Sequence, residues 1–206
     1  MKLAKTVTNK PIDVHCHNDL GLAVANSLAG AEAGANQIHV TIDGYGERVG
    51  IASLAEVTMV LKLLYGLERN FRYEMLSELS SLLSGYVNLP ISNNRPIVGK
   101  NAYTHKAGTH LGAIIREPKA YELVTPRSVG NNRRIVFGEL SGKNGAAFLL
   151  RTLGVEPTHD TSQRLAKGLK NLRRGDLFDL ELSDNLETEA IKSEENLTAT
   201  PMTPRE

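Results

Sequence analysis

Residues 11–65 switch back and forth between two hydrophobic periods, and this limits the fold more than any other feature of the chain. Pro11–Cys16 (PIDVHC) reads as a short buried strand opening after a proline. Gly21–Gly34 reads as a helix rich in alanine and closed by glycine, its alanines at 23, 25, 29, 31 and 33 suited to close packing on a sheet. Gln37–Ile42 (QIHVTI) reads as a second strand, followed by the loop Asp43–Gly50. Ser53–Tyr65 reads as an amphipathic helix with Ser53 as N-cap and Glu56 at the capping-box position. Strand–helix–strand–helix in that order predicts parallel strands joined by right-handed crossovers, an α/β arrangement.

After residue 66 the texture changes. Helices are expected over Tyr73–Leu83, His105–Arg116, Gly145–Leu153 and Thr161–Leu172, with Pro90–Lys100 irregular and Asn132–Phe137 an ambiguous apolar run. The tail from Ser183 is acidic, rich in threonine and sparse in apolar residues, so it is expected to be disordered. With 206 residues, 41% hydrophobic and 23% charged, the chain has enough apolar material for a core. A formal net charge of +1 gives no reason to expect nucleic acid or an anionic membrane as a partner. The single cysteine, Cys16, excludes an internal disulfide and fits a reducing compartment. The first ten residues lack an apolar secretory core and no apolar run approaches a bilayer span, so the expectation is a cytoplasmic protein without a membrane segment.

Three clusters carry chemistry. In Asp13-Val14-His15-Cys16-His17-Asn18-Asp19, alternation on a strand puts residues 13, 15 and 17 on one face. Two imidazoles at i and i+2 beside a carboxylate can meet one divalent ion at the C-terminal end of a parallel strand, where α/β folds bind ligands. The bland alternative is two incidental polar residues at a strand end. Cys16 falls on the opposite face and is expected to be a buried structural thiol. The second cluster is Gly44-Tyr45-Gly46-Glu47-Arg48-Val49-Gly50, whose glycines allow tight turns and whose Glu47 and Arg48 lie at the same rim. From spacing alone a solvated, salt-bridged loop explains it equally well. The third is Tyr103–His110 with Tyr121: a helix over 105–116 separates His110 from Tyr121 by about three turns, unless the break at Pro118 folds the chain back. Spacing alone gives no reason to pair them.

Taken together, these segments resemble the isopropylmalate, homocitrate and citramalate synthase family. HCHNDLGLAVANSLAGAEAGA (15–35) is similar to its HxHNDxGxAxAN metal segment, and GYGERVG (44–50) to its GxGERxG loop. VGKNAYTHKAGTHLGAIIREPKAYELVTPRSVG (98–130) is similar to its linker signature, and ELSGKNGAAFLLRTLG (139–154) to the segment that follows. The resemblance covers residues 8–156 in the family's order. It implies the last two βα units of a (β/α)8 TIM barrel over residues 1–66, a mostly helical linker region over 67–182 and the tail over 183–206. The first six strands, an acidic metal ligand, a keto-acid-binding arginine and a catalytic glutamate would lie outside this chain, as in a fragment or half of a split enzyme. Two strands cannot close a barrel.

The resemblance further implies that His15 and His17 are metal ligands, for Zn, Mn, Mg or Co, and that acetyl-CoA condenses with a 2-oxo acid in a Claisen-type acyl transfer. His110 and Tyr121 match the family's linker acid/base pair, the histidine serving a partner subunit's site, so a homodimer or a complex with an N-terminal half is expected. Asp13, Asn18, Asp19, Glu47 and Arg48 would line the substrate rim, with Asp13 behind His15, and residues 138–145 would support coenzyme A or an interdomain contact. One departure bears on the substrate. Ile51 stands where isopropylmalate synthases usually have a metal-side asparagine, and this with HKAG (105–108) looks more like homocitrate synthase, so 2-oxoglutarate is the expected acceptor and 2-oxoisovalerate the alternative. Residues 157–206 are too few and too polar for the family's regulatory domain. A non-catalytic half that dimerises with a full-length homologue is the competing reading. A carbon–carbon lyase of the same superfamily would share HxH but not the linker cluster.

Overall fold

The computed structural model describes residues 1–68, 70–106, 108–171 and 178–181. The chain divides into two compact units, Met1–Ala102 and Tyr103–Glu206.

In the first unit the elements run α1 (Lys2–Val7), β1 (Asp13–Val14), α2 (Ala23–Glu32), β2 (Gln37–Ile38), α3 (Leu54–Tyr65) and α4 (Leu76–Val87), with single 3-10 turns at Ile42–Gly44 and Tyr73–Met75. β1 and β2 are parallel, Asp13 opposite Gln37 and Val14 opposite Ile38. Both strands are shorter than the apolar pattern predicts. Pairing is replaced beyond them by isolated bridges, His17 to Ile51 and Thr41 to Ser53. A small core of Ala23, Ala52 and Val57, with Cys16, Val24, Ile38, Val40 and Leu61 packed on it, joins α2 and α3 to the strands. Cys16 therefore faces the core as expected, although it is only half-buried. The alanine-rich face of α2 allows a close approach: a Cβ on Gly30 would lie 2.6 Å from Val14 Cγ1.

α3 starts where expected but is capped differently. The Ser53 side chain makes no cap hydrogen bond, so the capping box with Glu56 does not form. Leu54 N–H, the first free donor of the helix, is satisfied instead by Thr41 O at 2.8 Å beside the Thr41–Ser53 bridge. Glu56 instead lies half-buried near Arg95, where burial pushes its carboxyl up despite the nearby guanidinium. The hydroxyl of Ser80 on α4 donates to the buried carboxylate of Asp43, which tethers that helix to the loop after β2.

The second unit contains β3 (Thr104–His105), α5 (Gly108–Arg116), β4 (Arg134–Phe137), α6 (Lys143–Thr152), α7 (His159–Lys170) and β5 (Phe178–Glu181). Its sheet has the order β3-β4-β5, parallel between β3 and β4 and antiparallel between β4 and β5. Leu111, Ile135, Phe137, Ala146, Phe148, Ala166 and Leu169 form its core. Each fully buried leucine, isoleucine or phenylalanine there contributes about 1.5–3 kcal/mol. The helix expected over His105–Arg116 begins only at Gly108, because Thr104 and His105 pair with Arg134 and Ile135. The ambiguous run at 132–137 is the central strand, fully enclosed at Ile135 and Phe137. α7 starts earlier than expected because Thr158 and Thr161 form a reciprocal capping box. The expected disordered tail from Ser183 and the last residue of the helix expected at Thr161–Leu172 lie outside the described residues. Among the described residues, no helix is long and apolar enough to cross a membrane.

Candidate functional site

Two clusters stand out, one in each unit. In the first, each parallel strand is followed at once by a histidine. Residues opposite each other on neighbouring parallel strands project to the same side, so the register that pairs Val14 with Ile38 brings His15 beside His39. His39 N–H donates to Val14 O at 2.9 Å, which holds that alignment one residue past the strand. The Nδ1 atoms of His15 and His39 are 3.2 Å apart, and His39 Nε2 lies 3.6 Å from Asp13 Oδ2. His15 and His17 share an edge as the alternation predicts, their ring centroids 5.1 Å apart at 60°. His17 Nδ1 is buried and has no hydrogen-bond partner among the described residues, which leaves Nε2 as its outward atom.

The remaining rim residues are tied to this edge. Asn18 N–H donates to Gly50 O at 3.0 Å, and its Oδ1 accepts from Ala23 N–H at 3.1 Å, so its side chain closes the start of α2. Arg48, at φ 58, reaches back to Asp19 in a two-pronged pair, Nε to Oδ1 at 2.9 Å and Nη2 to Oδ2 at 3.0 Å. That bond holds the Asp19 carboxyl below its ordinary range. Glu47 is exposed in the same loop. Gly50 supports the loop: at φ 82 it brings Gly44 O against its own Cα, and a Cβ there would overlap that carbonyl. Ile51 is buried and bridges His17 with its backbone, offering no donor atom.

Imidazole nitrogens are good ligands for Zn, Co or Mn, and the outward Nε2 of His17 beside His15 suits part of such a shell. Among the described residues no three or more His, Cys, Asp or Glu side chains gather into a set that could hold a metal ion. Among the described residues these two imidazoles would make part of a shell and not a full cage.

In the second unit, a 3-10 turn at Pro118–Ala120 folds the chain back after α5. The Glu117 carboxylate accepts from Lys119 N–H at 3.1 Å and fixes this turn. His110 and Tyr121 are thereby stacked, centroids 4.4 Å apart at 26°, with Tyr121 51% exposed. The next residue, Glu122, points inward. It accepts from Arg133 Nε at 2.8 Å and Arg133 Nη2 at 2.6 Å, and its Oε1 is 2.9 Å from His105 Nε2. The side chains of Glu122 and Arg133 are 3% and 5% exposed, so this is a buried charge pair. Burial pushes the Glu122 carboxyl up, the bonds from Arg133 and His105 pull it down, and the balance is a lowered value. Burial, helped by the charge on Glu122, pushes the Tyr103 phenol up to about 12. In the segment 138–145, Gly138 N–H donates to the buried Ser141 hydroxyl at 2.9 Å, closing the turn before α6.

Two features of these clusters escape a reading of spacing. His39 sits inside the apolar run QIHVTI, and only the register offset between β1 and β2 marks it as the neighbour of His15. Glu122 and Arg133 lie eleven positions apart, in the loop after the 118–120 turn and just before β4, and no local pattern joins them.

Residues 1–83 match the HMGL-like family, and residues 97–176 match the family described as homocitrate synthase post-HMGL domain-like. The homocitrate synthase AksA of Methanopyrus kandleri is 45% identical over 168 residues, 82% of this chain and 42% of that protein. A probable 2-isopropylmalate synthase of the same organism is 46% identical over 162 residues, 79% of this chain and 32% of its own. The (R)-citramalate synthase CimA of Methanocaldococcus jannaschii is 40% identical over 179 residues, 85% of this chain and 36% of its own. The chain spans less than half the length of each of these relatives. With both family segments present in sequence and such identity over most of its length, the chain belongs to the homocitrate, 2-isopropylmalate and citramalate synthase family.

Proposed function

We propose that this chain supplies the last two βα units of a (β/α)8 barrel and the following linker region of a 2-acylmalate synthase, which condenses acetyl-CoA with a 2-oxo acid. The observation that carries the reading is the pair His15 and His17, ring to ring just past β1, in a chain whose relatives bear synthase names. His15 and His17 would hold a divalent cation, and that cation when bound would polarise the ketone of the oxo acid as a Lewis acid. Arg48, held by Asp19, would order the rim loop over the substrate, with Glu47, Asn18 and Asp13 beside it. His110 and Tyr121 would handle protons. The imidazole can accept one at a ring nitrogen, and the phenol can donate one to a developing oxyanion or relay it. Both groups lie at the surface of their unit, which suits a pair contributed to a site completed by another polypeptide, as in a homodimer.

Exposed Leu3, Leu20, Leu22, Leu64 and Leu67 in the first unit support the need for a complementary barrel portion. 2-Oxoglutarate is the proposed acceptor, making the activity that of a homocitrate synthase. Ile51 supports this preference, since the residue beside His17 offers no polar atom. The test is release of coenzyme A, followed with a thiol reagent, from acetyl-CoA plus either 2-oxoglutarate or 2-oxoisovalerate. The chain is assayed together with an N-terminal barrel half from a relative. Release should be faster with 2-oxoglutarate, should stop on chelation, and should fall about 10²- to 10⁴-fold in His110→Ala. Faster release with 2-oxoisovalerate would move the assignment to 2-isopropylmalate synthase. Release with neither acid would discard the activity.

A further inference from the structure

We propose that His39 is a positioning residue that fixes the tautomer of His15, so that His15 presents only its Nε2 to a cation. This rests on the reading of His15 and His17 as metal ligands. In the metal-free chain the 3.2 Å between the two Nδ1 atoms is hydrogen-bond length, and a hydrogen bond there needs one of them to carry a proton and the other a lone pair. Which one donates is decided at the far side of the His39 ring. There Nε2 faces the Asp13 carboxylate at 3.6 Å, too long for a hydrogen bond but close enough for the charge to act. A lone pair aimed at that carboxylate would be repelled, whereas an N–H is attracted, so neutral His39 carries its proton on Nε2. Its Nδ1 is then the acceptor, and His15 must donate from Nδ1. The lone pair of His15 is left on Nε2.

The same geometry argues against His39 as a third ligand. A ligand set of His15, His17 and His39 together is not favoured, since no three such side chains gather into a metal-holding group among the described residues. His17 Nδ1 is itself buried, so its available atom is Nε2. Asp13, His39 and His15 therefore form a line of contacts that ends at the proposed ligand, the arrangement by which an outer residue orients a metal-bound imidazole. Parallel register makes this line possible: residues 15 and 39 continue the pairing of 14 with 38.

The full 206-residue chain, with ¹⁵N-labelled histidine, tests the idea by long-range proton–nitrogen correlation spectra before and after addition of ¹¹³Cd²⁺. His15 should be protonated at Nδ1 in the metal-free chain. On loading, cadmium coupling should appear at Nε2 of His15 and of His17 and be absent from His39. His39→Ala should lose the fixed His15 tautomer and weaken Zn²⁺ or Cd²⁺ affinity by about 10- to 100-fold. His39→Gln, which retains an acceptor oxygen, should restore part of both and keeps the test open should the alanine variant misfold. A His15 protonated at Nε2, cadmium coupling to His39, or unchanged affinity in a folded His39→Ala would overturn the proposal. Absence of coupling to His15 and His17 alike would instead defeat the metal reading. The His15 tautomer in the metal-free chain would still decide whether His39 sets it.

Discussion

Glu122 is a single residue with two charge partners, both largely buried with it. It keeps a negative charge where almost no solvent reaches, and it can do so only because Arg133 and His105 bond to it. Removing the carboxylate takes its two bonds away from a buried guanidinium, so Glu122→Gln should cost about 3–5 kcal/mol in a urea titration. The sign of the pH dependence follows from the lowered carboxyl value. A depressed value in the fold means that the contribution is complete above the unfolded value of about 4.3 and drains away as pH falls through the folded one. Thermal midpoints of the parent should therefore drop on acidification below about pH 4.3, and those of Glu122→Gln should drop less. Parallel profiles for the two proteins would mean that the fold does not hold this charge. The same residue illustrates what a sequence conceals. Nothing in the spacing of Glu122 and Arg133 announces a pair, because their meeting depends on where β4 enters the sheet.

At the scale of elements, the loop after β2 depends on one backbone shape. Gly50→Ala meets two obstacles, a positive φ and the carbonyl of Gly44, whereas Gly66→Ala at the end of α3 meets only the first, since open space surrounds it. The conformational part costs about 1–3 kcal/mol in each. Gly50→Ala should lower the urea midpoint further than Gly66→Ala and should abolish the Arg48–Asp19 pairing seen in arginine side-chain spectra. Equal losses would show that the loop can shift its carbonyl freely. The helices α2, α3, α6 and α7 were legible because an apolar stripe at helical period marks each one. α1 was not, since a six-residue helix with only Leu3 and Val7 as large apolar residues is too short to show a period. β3 was read as the start of a helix because two residues are too few to show alternation. The pairing of His15 with His17 was legible from alternation alone. The stacking of His110 on Tyr121 was not, because it depends on the turn at Pro118 and not on any period.

For the molecule as a whole, apolar exposure is the property with a direct consequence. Leu3, Leu20, Leu22, Leu64 and Leu67 of the first unit are between 46% and 86% exposed. A fluorescent dye that reports apolar surface should bind the chain and be displaced when an N-terminal barrel half is added. Undiminished dye binding in the mixture would count against such a complement. The units differ in how their chemistry is encoded. His110 and Tyr121 need a fold-back to meet, whereas β1 and β2 are neighbours both along the polypeptide and across their sheet. His15, His17 and His39, together with Asp13, are consequently written in one uninterrupted stretch of a single strand–helix–strand segment. Cutting, permuting or fusing the polypeptide outside residues 13–57 keeps that imidazole edge on one piece with the His17–Ile51 bridge and the small core beneath it. On the proposed reading it would be a portable half-site, which an engineer could graft onto another parallel sheet together with the loop and helix start that support it.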